Sequence, residues 1–331
     1  MSVAHLPKAE LPKAELHCHL EGAADPGLVQ RLARSYNMDV SNIIQDGAYV
    51  WQDFTSFLKA YDEASCVFRE PKDYRLLAYD TFSRLAEQNA LYGEVFASPD
   101  HASRMGLSYE GLIEAIVDGI GDANREHGIE GRIIVTCIRH LGPERAERVA
   151  EKVAANPHPM VTGWGMAGDE RMFAAEDFAE AFGIAGDAGL GLTAHAGEFA
   201  GPQSIRDTLD HLMVSRIGHG VRTIEDTDLV ERLSDEDMVL ETCPASNIAL
   251  GVYKDANAHP LPALAEAGLR LTLNSDDPPF FHTSLENEYA LAASMGLDEE
   301  ALLDCTRTAL EAAFVDETTR SKLLRRLDFE A

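Results

Sequence analysis

From Leu16 onward, short apolar runs alternate with longer stretches in which apolar residues recur every three or four positions. The short runs read as buried strands and the long stretches as amphipathic helices. Their alternation predicts parallel strands joined by helical crossovers. Eight strands are predicted, at Glu15–Leu20, Leu91–Ser98, Gly131–Ile138, Met160–Met166, Gly189–His195, Arg216–His219, Met238–Cys243 and Leu269–Ser275. Helical spacing falls between most of them, at Tyr109–Glu126, Pro143–Ala155, Ala174–Gly186, Ser204–Leu212, Thr227–Leu233 and Leu261–Ala267. The predicted class is therefore α/β, a (β/α)8 TIM barrel, whose usual size of roughly 250 residues this chain exceeds.

The surplus has two places. About 70 residues separate the first two strands, far more than an ordinary crossover, and they include the aromatic, helix-patterned segment Tyr49–Phe68. A helical insertion there would lie over the C-terminal mouth of the barrel, either covering a ligand or packing as a purely structural pair. Beyond the eighth strand, Asp298 is a candidate N-cap for a helix over Glu299–Phe314, and a basic helix follows at Glu317–Leu327. A single domain over residues 15–331 is expected. An N-terminal extension, 1–14, carries most of a tandem LPKAE repeat (Leu6–Glu10, Leu11–Glu15), of which only the second copy leads into a strand.

Composition narrows the choice of partner. The 28 basic residues are scattered and outnumbered by 56 acidic ones, for a formal charge of −28. Neutralising a phosphate backbone needs clustered Lys and Arg, so no nucleic-acid partner is expected and a neutral small molecule is the easier ligand. No apolar run is long enough to span a membrane, and the N-terminus lacks the basic head and apolar core of a secretory signal. No membrane partner is expected, and the predicted location is cytoplasmic. The five cysteines are odd in number and form no CxxC pair, which suits reduced thiols.

The polar residues give the barrel a chemistry. Active sites of this architecture collect at the C-terminal ends of the strands. Here His17 and His19 end the first strand, His195 the fifth, His219 the sixth, and Asp276 and Asp277 follow the eighth. His17 and His19, two apart, project from one strand face. A lone histidine near an apolar strand is more often a hydrogen-bonded core residue. Several at the same end of different strands, with a carboxylate, suit a borderline divalent ion such as Zn²⁺ with a position left for water.

The motifs HCHLEG at His17, AGDE at Ala167, HAGE at His195, GHG at Gly218 and SDDP at Ser275, in this order, resemble the adenosine and adenine deaminase family of metal-dependent hydrolases from about Leu11 to Leu291. The resemblance implies a zinc-containing (β/α)8 barrel with one Zn²⁺ per chain, held by His17, His19, His195 and Asp276. It assigns catalysis to Glu198, His219 and Asp276 and substrate contacts to Gly168, Asp277, His19 and Glu21. The implied reaction is hydrolytic deamination of a 6-aminopurine. Glu198 protonates N1, His219 orients the attacking oxygen and helps take its proton, Asp276 helps hold that oxygen, Asp277 contacts N7 and the Gly168 N–H meets N3.

Substrate signals conflict. Glu21, where the nucleoside enzymes carry aspartate, leans to adenine, whereas Gly168 in MAGDE and CIRH at Cys137–His140 lean to adenosine. The balance predicts adenosine or deoxyadenosine, in purine salvage. Adenine, or a modified adenosine such as aminodeoxyfutalosine, is the alternative. Two-metal hydrolases of related type commonly use a lysine after the fourth strand, and Gly163–Gly168 has none. The HxE and PCxxC signature of nucleic-acid deaminases is also absent. Asp169, Glu170 and Ser275 read as turn or supporting residues. His101, His140, His211, His259 and His282 show no ligand spacing, with His140 and His259 candidates for indirect support.

Overall fold

The structure, a computed structural model, describes residues 11–330, so the first LPKAE copy lies outside the described residues. Eight parallel strands are hydrogen-bonded in chain order: β1 (Lys13–His19), β2 (Ala90–Ala97), β3 (Glu130–Ile138), β4 (Val161–Ala167), β5 (Gly191–Ala196), β6 (Arg216–His219), β7 (Val239–Thr242) and β8 (Arg270–Leu273). All eight predicted strands are present. β1 begins at Lys13 rather than Glu15, inside the stretch expected to be extension, and Leu11 ahead of it is already buried. Closure is made just past β8, where the Asp276 N–H donates to His17 O at 2.9 Å and the His19 N–H donates to Asp276 O at 3.0 Å. The sheet thereby becomes a (β/α)8 barrel.

Both faces of such strands are covered, so their side chains are apolar or paired. At the N-terminal end of the barrel, Gly163 and Gly191 leave room for Phe314, whose ring lies 3.6 Å from the guanidinium of Arg216. Arg216, itself buried, is held at 2.6 Å by Glu94 and at 2.6 Å by Glu241. This charged layer reaches up toward the site.

The insertion after β1 holds three helices, α1 (Pro26–Ser35), α2 (Phe54–Ser65) and α3 (Pro71–Glu87), and a short hairpin pairing Ile44–Gln45 with Ala48–Tyr49. Asp53 and Ser56 start α2 with a reciprocal capping box. Its Phe57 packs on Phe280 and Phe281, which follow β8, with centroids at 5.5 and 5.0 Å. The helix therefore lies across the barrel mouth. At the other end of the chain Asp298 caps Glu299–Ala312, as predicted, by accepting from the Ala301 N–H, and Glu317–Glu330 forms the last helix. The segment expected as one helix over Ala174–Gly186 divides into a 3-10 turn, Ala175–Phe178, and a helix, Ala179–Asp187. The Asp177 side chain accepts from the Ala174 N–H and favours the tighter turn. No described helix is long and apolar enough to cross a membrane, and all five cysteines are free.

Candidate active site

The strand ends carry their polar residues to one point. His17 and His19 share a face of β1, His195 lies at the end of β5 and His219 closes β6. His219 and Asp276 both adopt left-handed backbone, at φ of 62° and 59°. For residues other than glycine that costs on the order of 1 kcal/mol or more each, a strain found where a side chain must be aimed. Gly218 makes room beside it, since a Cβ there would sit 2.8 Å from the His17 ring.

Four donor atoms converge. His17 Nε2 and His195 Nε2 are 3.0 Å apart, and His19 Nε2 is 3.2 Å from His195 Nε2 and 3.3 Å from Asp276 Oδ1. Asp276 Oδ1 is 3.8 Å from His17 Nε2. Metal–ligand bonds of about 2.0–2.1 Å in a tetrahedron place ligand atoms about 3.3 Å apart, the scale seen here. The proton positions agree. His17 Nδ1 lies 2.7 Å from Glu241 Oε2, and His195 Nδ1 2.8 Å from the Met166 carbonyl. Both partners only accept, so each Nδ1 carries the proton and the two Nε2 lone pairs face one another bare. Such a pair repels unless a cation lies between, so these residues fit a divalent metal ion. His219 also comes within range, its ring nitrogen grouped with those of His17 and His195 and with Asp276 inside 4.8 Å.

Burial and the neighbouring imidazoles keep His195 well below its ordinary pKa, and burial lowers His219 to about 3. Both are neutral, the form that offers lone pairs. For Asp276 burial acts in the opposite sense, but the His19 hydrogen bond and the nearby histidines outweigh it and hold the carboxyl well below the usual range.

Glu198 sits 3.9 Å from His219 Nε2 and is buried. Burial first, then the charges of Asp276 and Glu170, push its pKa well above the carboxylate range. The shift favours its protonated, acid form. Its loop is gathered by Glu170, whose carboxylate accepts from the N–H groups of Gly197, Glu198, Phe199 and Ala200 and from the Ser204 hydroxyl. Four successive donors on one side chain fix the loop as a cup, the supporting one of the two roles, turn or support, that the sequence offers for Glu170.

Asp277 is buried, with Oδ1 lacking a hydrogen-bond partner among the described residues. Gly22 makes that position available, since a Cβ there would fall 1.6 Å from Oδ1. Gly168 lies across the cavity with φ of 102° and would clash with His140 if it carried a side chain. The cavity is lined by His19, His195, His219, Glu198, Asp276, Asp277 and Gly168 and roofed by Phe54, Phe57, Leu58 and Tyr61 of α2. The insertion is thus a cover over the site.

Glu21 is the expected substrate residue that the structure does not bring to the cavity. It is buried behind the roof, accepting from Tyr61 Oη at 3.4 Å and Tyr74 Oη at 3.3 Å. Three groups went unrecognised. His101 lines the cavity and pairs with Asp62 at 3.0 Å. Glu241 orients His17, and Asn247 contacts His219. His101 follows the C-terminal end of β2, so the strand-end rule that found the other histidines reaches it as well. Asn247 lies in a six-residue helix after β7, Pro244–Ala249, too short to carry a periodic signal. His259, a candidate for indirect support, contacts Asn247.

A family model described as adenosine deaminase matches residues 12–330. The chain is 55% identical over 320 residues to an adenine deaminase of Sinorhizobium medicae, covering 96% of this chain and 99% of that protein. Among solved structures it resembles an adenine deaminase of Arthrobacter aurescens, with a TM-score of 0.89 at 26% identity over 96% of this chain and 98% of that one. It also resembles an amidohydrolase of Burkholderia ambifaria with bound zinc, with a TM-score of 0.88 at 25% identity over 100% of this chain and 95% of that one.

Proposed function

This chain belongs to the adenosine deaminase family of amidohydrolases, and from that premise we propose that it converts adenine and water to hypoxanthine and ammonia, using one zinc ion per chain. The observation that carries the reaction type is the meeting of His17, His19, His195 and Asp276 beside a buried Glu198 whose protonated form burial favours. The choice of base over nucleoside departs from the sequence expectation. It is supported by full-length similarity to a protein named adenine deaminase and by the cavity itself. Glu21 is taken up by Tyr61 and Tyr74 and does not line the cavity, so no carboxylate from that position is there to meet a ribose. A nucleotide fits less well still. Among the described residues no Lys or Arg lines the cavity, and Arg104 and Arg171 pair instead with Asp62 and Asp169, at 2.9 and 2.7 Å, so no cation stands in the cavity for a phosphate.

When bound at the four ligands, a zinc ion supplies hydroxide at neutral pH by lowering the pKa of its water to about 7. The remaining work falls to side chains. The aromatic ring resists addition at C6 unless N1 accepts a proton, and Glu198 is the buried acid that gives it. The Gly168 N–H meets N3, and the orphaned Oδ1 of Asp277 meets the imidazole edge at N7. His219 faces the attacking oxygen. Phe54, Phe57 and Leu58 exclude water from the ring. Zinc-loaded protein incubated with adenine tests this by ammonia release and loss of the aminopurine ultraviolet band. No turnover by protein holding stoichiometric zinc would refute it.

A further inference from the structure

His219 is the end of a buried hydrogen-bond chain whose polarity is fixed from outside the site. The Leu261 backbone N–H can only donate, and it lies 3.2 Å from His259 Nδ1. That nitrogen is therefore a bare acceptor. Burial holds His259 at about 4, so the ring is neutral and its single proton must be on Nε2. His259 Nε2 then donates to Asn247 Oδ1 at 3.2 Å. With its oxygen so used, Asn247 presents its NH₂ to His219 Nδ1, also at 3.2 Å. The reverse orientation of the amide would set two donors against each other at His259. His219 Nδ1 is thus an acceptor, and its proton lies on Nε2, which is 3.9 Å from both Glu198 Oε2 and Asp276 Oδ2. Asn247 and His259 are buried, and Tyr253 packs edge-on against the His259 ring at 5.1 Å, so the chain has no competing solvent.

We propose that Asn247 and His259 are positioning residues that lock His219 in its Nε2–H tautomer. A ring nitrogen already bearing a proton is neither a metal ligand nor the first acceptor of one. His219 therefore acts as a fixed donor toward the attacking oxygen, in contrast to His17 and His195, whose Nδ1 partners force the opposite tautomer. Three histidines of one cluster are thereby sorted into two ligands and one donor by their outer partners. The inference rests on the proposed reading of this cleft as a hydrolytic deaminase site.

The test is two-bond ¹H–¹⁵N correlation NMR of zinc-loaded protein labelled in histidine, with His219 signals assigned by their loss in His219→Gln. The expected result is a single tautomer with a pyrrole-type Nε2 and a pyridine-type Nδ1. A protonated Nδ1, or exchange between tautomers, overturns the proposal. This reading needs no substrate, so it stands or falls apart from the adenine assignment. Asn247→Asp keeps the shape but removes the donor, and is expected to move the proton to Nδ1 and lower kcat at least about tenfold, with KM and zinc content little changed. Retention of Nε2–H in that variant also overturns the proposal. Should Asn247→Asp fail to fold, His259→Leu is expected to give mixed tautomers and His259→Gln, whose amide can donate, to restore the single one. A single unchanged tautomer in His259→Leu counts against the relay.

Discussion

His17 Nδ1 and Glu241 Oε2 are 2.7 Å apart, with neither side chain exposed. Glu241 is in turn held by Arg216 at 2.6 Å and Thr193 at 3.0 Å. Burial works against its charge, but Arg216 and then His17 outweigh it and keep its pKa below the usual value. An ionised acceptor at this position decides which nitrogen of His17 is free for a metal.

Glu241→Ala releases His17 to either tautomer and leaves Arg216 with one fewer partner. Zinc affinity, measured against a competing chelator, should fall about 10- to 100-fold. Urea unfolding should show a loss of about 3–5 kcal/mol, the cost of breaking a buried ion pair.

Glu198→Gln keeps the shape but not the transferable proton, so kcat should drop by about 10²- to 10⁴-fold while adenine still binds. The pH dependence has a definite sign. Burial raises the Glu198 pKa, so the active, protonated form extends to higher pH than for an ordinary carboxyl and is lost as pH climbs through the raised value. The wild-type rate should therefore show an alkaline fall, and the residual rate of Glu198→Gln should lack it.

Glu170→Gln sets an NH₂ against a ring of backbone donors that now share one carboxylate. The cup should loosen, moving Glu198 off line. Steady-state kinetics should show kcat reduced on the order of 10²-fold, with zinc content unchanged because no ligand is touched.

Glu288 is a buried acid outside the chemistry, hydrogen-bonded by the Ala245 N–H and the Thr283 hydroxyl. Burial raises its pKa to about 7 from 4.5. Below the unfolded value both states hold the proton and its stabilising effect is complete. As pH rises toward 7 the unfolded chain ionises first and stability is lost. Urea titrations from pH 4.5 to 8 should show wild type losing up to about 3 kcal/mol relative to Glu288→Gln.

Much of this was legible in the residues because barrel strands and their ends announce themselves. An apolar run stopping at a histidine or aspartate gave both the strand and the site residue, as at His195, His219 and Asp276. Side-chain direction beyond the strand was not legible. Glu21 sits in the metal motif, yet the tyrosines of α2 and α3 decide where it points, and they lie 40 and 53 positions away. Asn247 was equally hidden, and so were the partners of Glu170, which reads as a turn or supporting residue. Their roles consist of hydrogen bonds to groups 12 to 34 residues distant, which no local pattern encodes.

The most direct test of the central claim is the ratio of kcat/KM for adenine and adenosine on the same zinc-loaded preparation. A cavity roofed by α2, with Glu21 held away from it by Tyr61 and Tyr74, predicts a ratio of at least about 10² in favour of adenine, the scale on which a misfitting substrate is rejected. A ratio near or below one, with adenosine converted to inosine, would contradict it.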